Sequence, residues 1–289
     1  MESQLIKRIE IIDLMKGIGI LLMLLGHCSL NRYGKNAIFA FHMPLFFLIS
    51  GFLYKDRNVK SMIGRLSHKI LLPYLVTGLL IWVAKFFLGQ PGWGISIILG
   101  NGAREVLGIE ALQPYHVGPL CFLLAYFVGC IGFHFLLRVQ SHIKRIAILL
   151  VLFELSIGFT HYVGLLPFDL FPGIAAMLFL YIGYLCKDDM LRSHFLNKWM
   201  LLFGTCCLLL CIWKGGVSMA SHIYKLNILQ VVGAVTGSWI LNVLLTKKQR
   251  WFGKTLVGGY FVGQYSLAIM CIHSIDSNLN ISDNLAGFF

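Results

Sequence analysis

The sequence predicts an all-α integral membrane protein, a polytopic bundle of about nine membrane-spanning helices, on three observations. Of 289 residues, 58% are hydrophobic and 12% charged, roughly half the charged fraction of a soluble domain. Apolar runs of about 20 residues, the length a bilayer requires, recur along the chain. Lys and Arg, which give a net charge of +12, gather in the segments between those runs and form no aromatic-interleaved basic domain. They read as topology signals and as a site for an anionic ligand, not as nucleic-acid contacts.

The apolar segments run approximately over 11–30, 37–54, 70–89, 117–138, 145–162, 170–186, 199–213, 227–246 and 257–274. Lys7 and Arg8 before the first run look like the start of a signal peptide, but Asp13 and Lys16 interrupt it and no small-x-small cleavage motif follows. The segment is retained as the first helix. Residues 55–69 form a strongly basic connection. Residues 90–116, with Gly92, Gly94, Gly100 and Gly102 around an apolar stretch, lie on the surface or dip in as a re-entrant segment. Counted over alternate connections, one side collects seventeen Lys and Arg and the other five. This places the N-terminus in the cytoplasm and, after nine spans, the C-terminus outside. No repeat or soluble module stands out, so residues 1–289 are expected to form a single membrane domain. The eight Cys lie in apolar stretches without C-x-x-C spacing and read as buried small residues.

Ionisable residues inside a bilayer cost several kcal/mol, so each needs a reason. The first helix carries Asp13, Lys16 and His27. At about 100° per residue Lys16 and His27 differ by roughly 20° around the axis, Asp13 lies within about 60° of both, and Lys16 and His27 are about 16 Å apart along it. A ligand held by its charged end at Lys16 would reach His27 inside the membrane. Asp13 and Lys16 also fit a plain ion pair at the membrane edge, and His27 a bond to a neighbouring carbonyl. A neutral imidazole suits proton abstraction from a hydroxyl or transient acyl transfer.

The second helix contains His42, Pro44, Ser50 and Gly51. Pro44 opens a kink, Ser50 and Gly51 permit close helix approach, and the short hairpin sets His42 near the depth of His27. No metal is expected, since neither histidine has a ligand-spaced companion. The basic residues from Lys55 to Lys69 exceed what topology requires and suggest a phosphorylated cofactor or anionic lipid. Glu154, His134 and His273 are isolated polar residues in apolar helices, open to structural or functional partners.

The stretch from Arg8 to Ile20 (RIEIIDLMKGIGI), His27, FHMPLFFLISGF at 41–52, LLPYL at 71–75, Ile182-Gly183-Tyr184 and Gly263-Gln264-Tyr265-Ser266-Leu267 leading to His273 together resemble the membrane acyltransferase 3 family, in particular its fucose 4-O-acetylase-like subgroup. The likeness is dense over residues 8–75 and looser between 90 and 250. It implies a bacterial inner (cytoplasmic) membrane enzyme that moves an acyl group, commonly acetyl from acetyl-CoA, to a hydroxyl of a surface or exported glycan. On the family pattern of a basic residue, ten residues and a histidine, Lys16 and His27 are the matching positions, with His27 the essential histidine. Arg65 falls where the family has basic residues before the third helix, but the usual arginine pair is replaced by His68 with Lys69 beside it, and Cys121 stands where a Trp is expected. The family pattern implies ten helices with both termini inside, so the tenth is missing from this sequence, and a truncated, inactive member is a further expectation.

The resulting expectation is an O-acyltransferase with His27, Lys16 and Asp13 at the catalytic centre. Arg65 and Lys69 bind acyl-CoA, and His42, Ser50 and His273 support or contact the acceptor. Its partners are acyl-CoA, a glycan and the bilayer. His27 serves as general base or as acyl carrier. A transporter or flippase for a lipid-linked glycan, with intramembrane His and Glu154 as a proton relay, is the alternative, and would show repeats and broken helices in matching halves.

Overall fold

The computed structural model describes residues 2–28, 30–90, 94, 97, 100, 118–163, 166–187, 198–215, 217–252 and 257–279. Among the described residues every regular element is helical, apart from one antiparallel bridge between Ser218 and Ile223. In chain order they are α1 (Glu2–His27), α2 (Arg32–Phe52), α3 (Val59–Leu66), a π-helical turn (Ser67–Leu71), α4 (Leu72–Phe87), α5 (Cys121–Leu136), α6 (His142–Val163), α7 (Leu170–Leu185), α8 (Lys198–Lys214), α9 (Ile228–Phe252), α10 (Val257–Gln264) and α11 (Ser266–Leu279). Short 3-10 turns at Gly118–Leu120 and Pro167–Asp169 lead into α5 and α7.

Among the described residues five stretches are long and apolar enough to cross a membrane: Arg32–Phe52, Val59–Phe87, Gly118–Leu136, Pro167–Leu185 and Ile228–Thr246. This is a helical membrane protein. The four other segments expected from the sequence also coincide with helices, each with a distinguishing feature. Asp13 and Lys16 interrupt α1, and Lys144, Arg145 and Glu154 lie in α6. The α8 helix has 17 residues, with Lys198 over the ring of Trp199 at one end and Lys214 over that of Trp213 at the other. The ninth segment is two helices, α10 and α11, that meet at Tyr265.

The basic connection at 55–69 is largely helix, not loop. The Asn58 side chain caps α3 by accepting the Ser61 N–H at 2.8 Å, and the helix then continues to Phe87. Pro73 explains the π turn on the way. In a regular helix its ring would press on the carbonyl four residues back, whereas here the Leu72 N–H reaches back five residues to Ser67 and the wider turn makes room. At about 1.5 Å per residue Val59–Phe87 is about 43 Å long, beyond the ~30 Å of a hydrocarbon core. The end bearing Lys60 and Arg65 is the polar excess. The expectation of buried cysteines also needs correction, since Cys28 and Cys206 are exposed.

The chain forms two compact units. The first comprises residues 1–54, 179–218 and 223–267. Here α1 packs on α2, α9 and α10, and α2 packs on α8 and α9, around a core of Ile11, Ile12, Leu14, Met15, Leu45, Ile49, Phe52 and Leu245. Two glycine crossings hold it. A Cβ at Gly51 would overlap the Leu180 carbonyl and one at Gly183 the Leu48 carbonyl, so α2 and the end of α7 touch backbone to backbone.

The second unit comprises residues 55–178, 219–222 and 268–289. Its Ile97 packs on Ile81, Trp82 and Ile275, and its carbonyl accepts the Tyr74 hydroxyl at 2.7 Å. Tyr74 lies thirteen residues, about 20 Å, before the end of α4. Most of the stretch at 90–116, read from the sequence as surface or re-entrant, lies outside the described residues, and Ile97 itself meets α4 well before that helix ends. In the connection before α9, His222 adopts φ +50° and stacks on Phe171 with ring centroids 5.8 Å apart. Ser156 Oγ lies 2.9 Å from its Nε2.

Candidate functional site

The first unit contains most of the residues singled out in the sequence. Lys16 donates to Asp13 at 3.0 Å across one turn of α1, with 28% of the Lys16 side chain and 12% of the Asp13 side chain exposed. A half-buried pair of this kind fixes both side chains and leaves the ammonium accessible to an anion. The backbone beneath it is held by α10. A Cβ at Gly17 would overlap the Gly259 carbonyl, and one at Gly263 the carbonyl of Asp13 itself. Gly259 and Gly263 form a GxxxG pair, the spacing that lets two membrane helices approach to backbone contact.

His27 is the last residue of α1 and is exposed. It lies at a helix end and not, as the sequence suggested, deep in an apolar run. Phe39 stands between the two histidines, edge-on to His27 at 6.1 Å and to His42 at 5.0 Å between ring centroids. His42 is buried, and its Nδ1 lies 2.9 Å from the Ile38 carbonyl. A carbonyl only accepts, so Nδ1 carries the proton and Nε2 is left as the basic nitrogen. Ser50 donates its hydroxyl to Phe46 O at 2.8 Å. Its oxygen is thus tied to its own helix beside the Gly51 crossing, a packing role.

Arg65, Lys69 and His273 belong to the second unit. Arg65 lies in the last turn of α3 and Lys69 in the π turn, both exposed, and His273 is half-buried in α11. His134 is accounted for structurally, since Arg138 donates to its Nε2 at 3.2 Å. Glu154 is exposed on α6. The sequence reading passed over the GxxxG spacing at 259–263, which is the signal that would have paired α10 with the charged turn of α1.

One helix of this membrane protein thus carries both the Lys16–Asp13 pair and an exposed histidine at its end. Residues 9–279 match the model of the acyltransferase 3 family, described as an acyltransferase domain, and the chain belongs to that family. It is similar to the nodulation protein NolL of Mesorhizobium japonicum, with 29% identity over 155 residues. That match covers 48% of this chain and 38% of the relative, so well under two thirds of the relative's length is spanned. No solved structure matches.

Proposed function

We propose that the protein is an O-acyltransferase of the bacterial inner membrane, which moves an acetyl or other acyl group from cytoplasmic acyl-CoA to a hydroxyl of a surface or exported glycan. Residues 1–289 act in this reading as one domain of nine spans with a cytoplasmic N-terminus, within the fucose 4-O-acetylase-like subgroup. The observation that carries it is the arrangement on α1: an ammonium held by Asp13 at 3.0 Å and, about 16 Å along the same face, an exposed imidazole. An extended pantetheine arm covers such a span. The phosphates of acyl-CoA lie at Lys16 and the thioester at His27.

His27 takes the proton of the glycan hydroxyl as its oxygen attacks the thioester carbon. The C–S bond breaks, and the proton passes to the departing thiolate to give free CoA and the ester. Alternatively, the imidazole first accepts the acyl group and then yields it to the hydroxyl. His42 lies behind Phe39 and supports the imidazole's surroundings. Transfer of labelled acetyl from acetyl-CoA to membrane glycans tests the reading. His27→Ala is expected to lower the rate by about 10²-fold or more, and equal labelling with and without His27 would overturn its role.

A flippase for a lipid-linked glycan is the second reading, favoured by the break between α10 and α11, since discontinuous helices mark transport sites. Glycan movement across vesicles without acyl-CoA would favour it.

A further inference from the structure

The end of the first unit that holds His27 also gathers four cations. The Asn36 side chain donates to the Ile212 carbonyl at 2.8 Å, joining the start of α2 to the last turn of α8. Lys35 is the neighbour of Asn36, Arg32 lies one turn before it, and Lys214 is the last residue of α8. The chain then turns at Gly215, where a Cβ would lie 3.2 Å from Lys225 Nζ. Gln230 closes this turn, donating to the Gly215 carbonyl at 3.1 Å and accepting the Leu226 N–H at 3.1 Å. Phe39, which meets His27 edge-on, is about 6 Å along α2 from Lys35. Arg32, Lys214 and Lys225 are exposed and Lys35 is half-buried.

The charge is not there for the fold. Residues 27–36 and 212–227 contain no Asp or Glu, and among the described residues none of the four cations pairs with a carboxylate. The four repel one another, and Arg32 and Lys35 stand at the start of α2, where the helix dipole disfavours a cation. Only Lys214, at the end of α8 and over the Trp213 ring, sits where a helix favours one. Topology does not call for the cluster either. In the count over alternate connections it lies on the side with five Lys and Arg against seventeen, and holds four of the five. Nor does the donor need it. In the acyl-CoA reading the phosphates lie at Lys16, about 16 Å away, and the thioester and acyl group that reach His27 are neutral. The reactant left to supply negative charge is the one that meets the acyl group at His27. Tyr33, exposed beside Arg32, offers a ring to a sugar face and a hydroxyl to its oxygens.

We propose that the acceptor is an anionic glycan, held by its phosphate or carboxylate groups at Arg32, Lys35, Lys214 and Lys225 while a hydroxyl reaches His27. The assignment rests on the acyl-transfer reading above and names the class of its acceptor. In the test, glycans labelled in membranes from acetyl-CoA are separated by anion exchange, and the label is expected to be retained. Loss of the charge in mild acid assigns it to a sugar–diphosphate linkage, and its loss on carboxyl reduction to a uronic acid. With the retained glycan and the purified full chain, Lys35→Gln combined with Lys214→Gln is expected to raise KM for the glycan about tenfold at low salt. KM for acetyl-CoA stays unchanged, and the rise of the parent's glycan KM with salt is flattened. Lys35→Arg with Lys214→Arg, which keeps both charges, stays near the parent. Label that elutes as neutral glycan, or a folded Gln variant with the parent's KM and salt dependence, overturns the proposal while acyl transfer stands. So does a requirement for phosphatidylglycerol in the vesicles that the Gln variant abolishes, which would give the cluster to lipid. A parent protein that labels no glycan overturns the acyl-transfer reading and this one with it.

Discussion

Four close-packed glycines of the first unit meet backbone and three of the second meet side chains, and the difference separates rigid contacts from adjustable ones, although Gly204 and Gly259 of the first unit also meet side chains. In the first unit Gly17, Gly51, Gly183 and Gly263 each face a carbonyl of another helix, where any side chain would collide with backbone. In the second, a Cβ at Gly132 would lie 2.6 Å from the Met177 sulfur, one at Gly78 2.6 Å from Ile97 Cγ2, and one at Gly173 2.7 Å from Val128 Cγ1. Side-chain ends rotate away, and carbonyls in a helix do not. The charged turn of α1 is built on the first kind of contact, which suits a site whose groups must keep their spacing.

The sharpest way to break that contrast is Gly263→Leu, which drives a side chain into the Asp13 carbonyl. A loss of about 3 kcal/mol or more is expected, read as a lower melting temperature in detergent or absence of the protein from membranes. Next in size is a pH effect in the second unit. Burial pushes the His222 imidazolium from an ordinary pKa of 6.5 down to about 4. The unfolded chain then binds a proton that the folded one refuses, so stability is full above pH 6.5 and falls as pH drops towards 4, by up to about 3 kcal/mol. Melting curves across that window should flatten in His222→Gln. The smallest effect is expected for Gly132→Ala, about 1 kcal/mol or less, because Met177 is unbranched and yields. A loss equal to that of Gly263→Leu would erase the distinction between the units.

Much of the helical layout was legible because apolar segments of bilayer length leave few alternatives, and eight expected segments each coincide with a helix while the ninth is divided between two. The face shared by Asp13, Lys16 and His27 was legible for the same reason, since helical spacing fixes it without tertiary information. What stayed hidden depends on distant partners. Gly259 and Gly263 read as ordinary glycines until Gly17, more than two hundred residues earlier, is set against them. The charges of residues 55–69 disguised a helix whose cap at Asn58 is a local signal, and the π turn follows from Pro73. Gly263 stands two residues before the break at Tyr265, but a lone glycine does not by itself end a helix, and an unbroken ninth segment was expected. His27 was read as deep because the apolar run continues past it, although the helix itself ends there.

The paired rings and ammonium groups at the two ends of α8 carry a consequence for the lipid. Trp199 and Trp213 are fourteen residues apart, about 21 Å along a helix, and such residues settle at the headgroup level. If α8 is a span anchored there, it is short for a hydrocarbon layer of ~30 Å, and the bilayer would thin beside it at a cost of fractions of a kcal/mol per Å. Reconstitution into bilayers of decreasing chain length should raise the melting temperature until the thickness matches α8. Beside such a short span, water and dissolved sugars would stand closer to the midplane than beside a longer one.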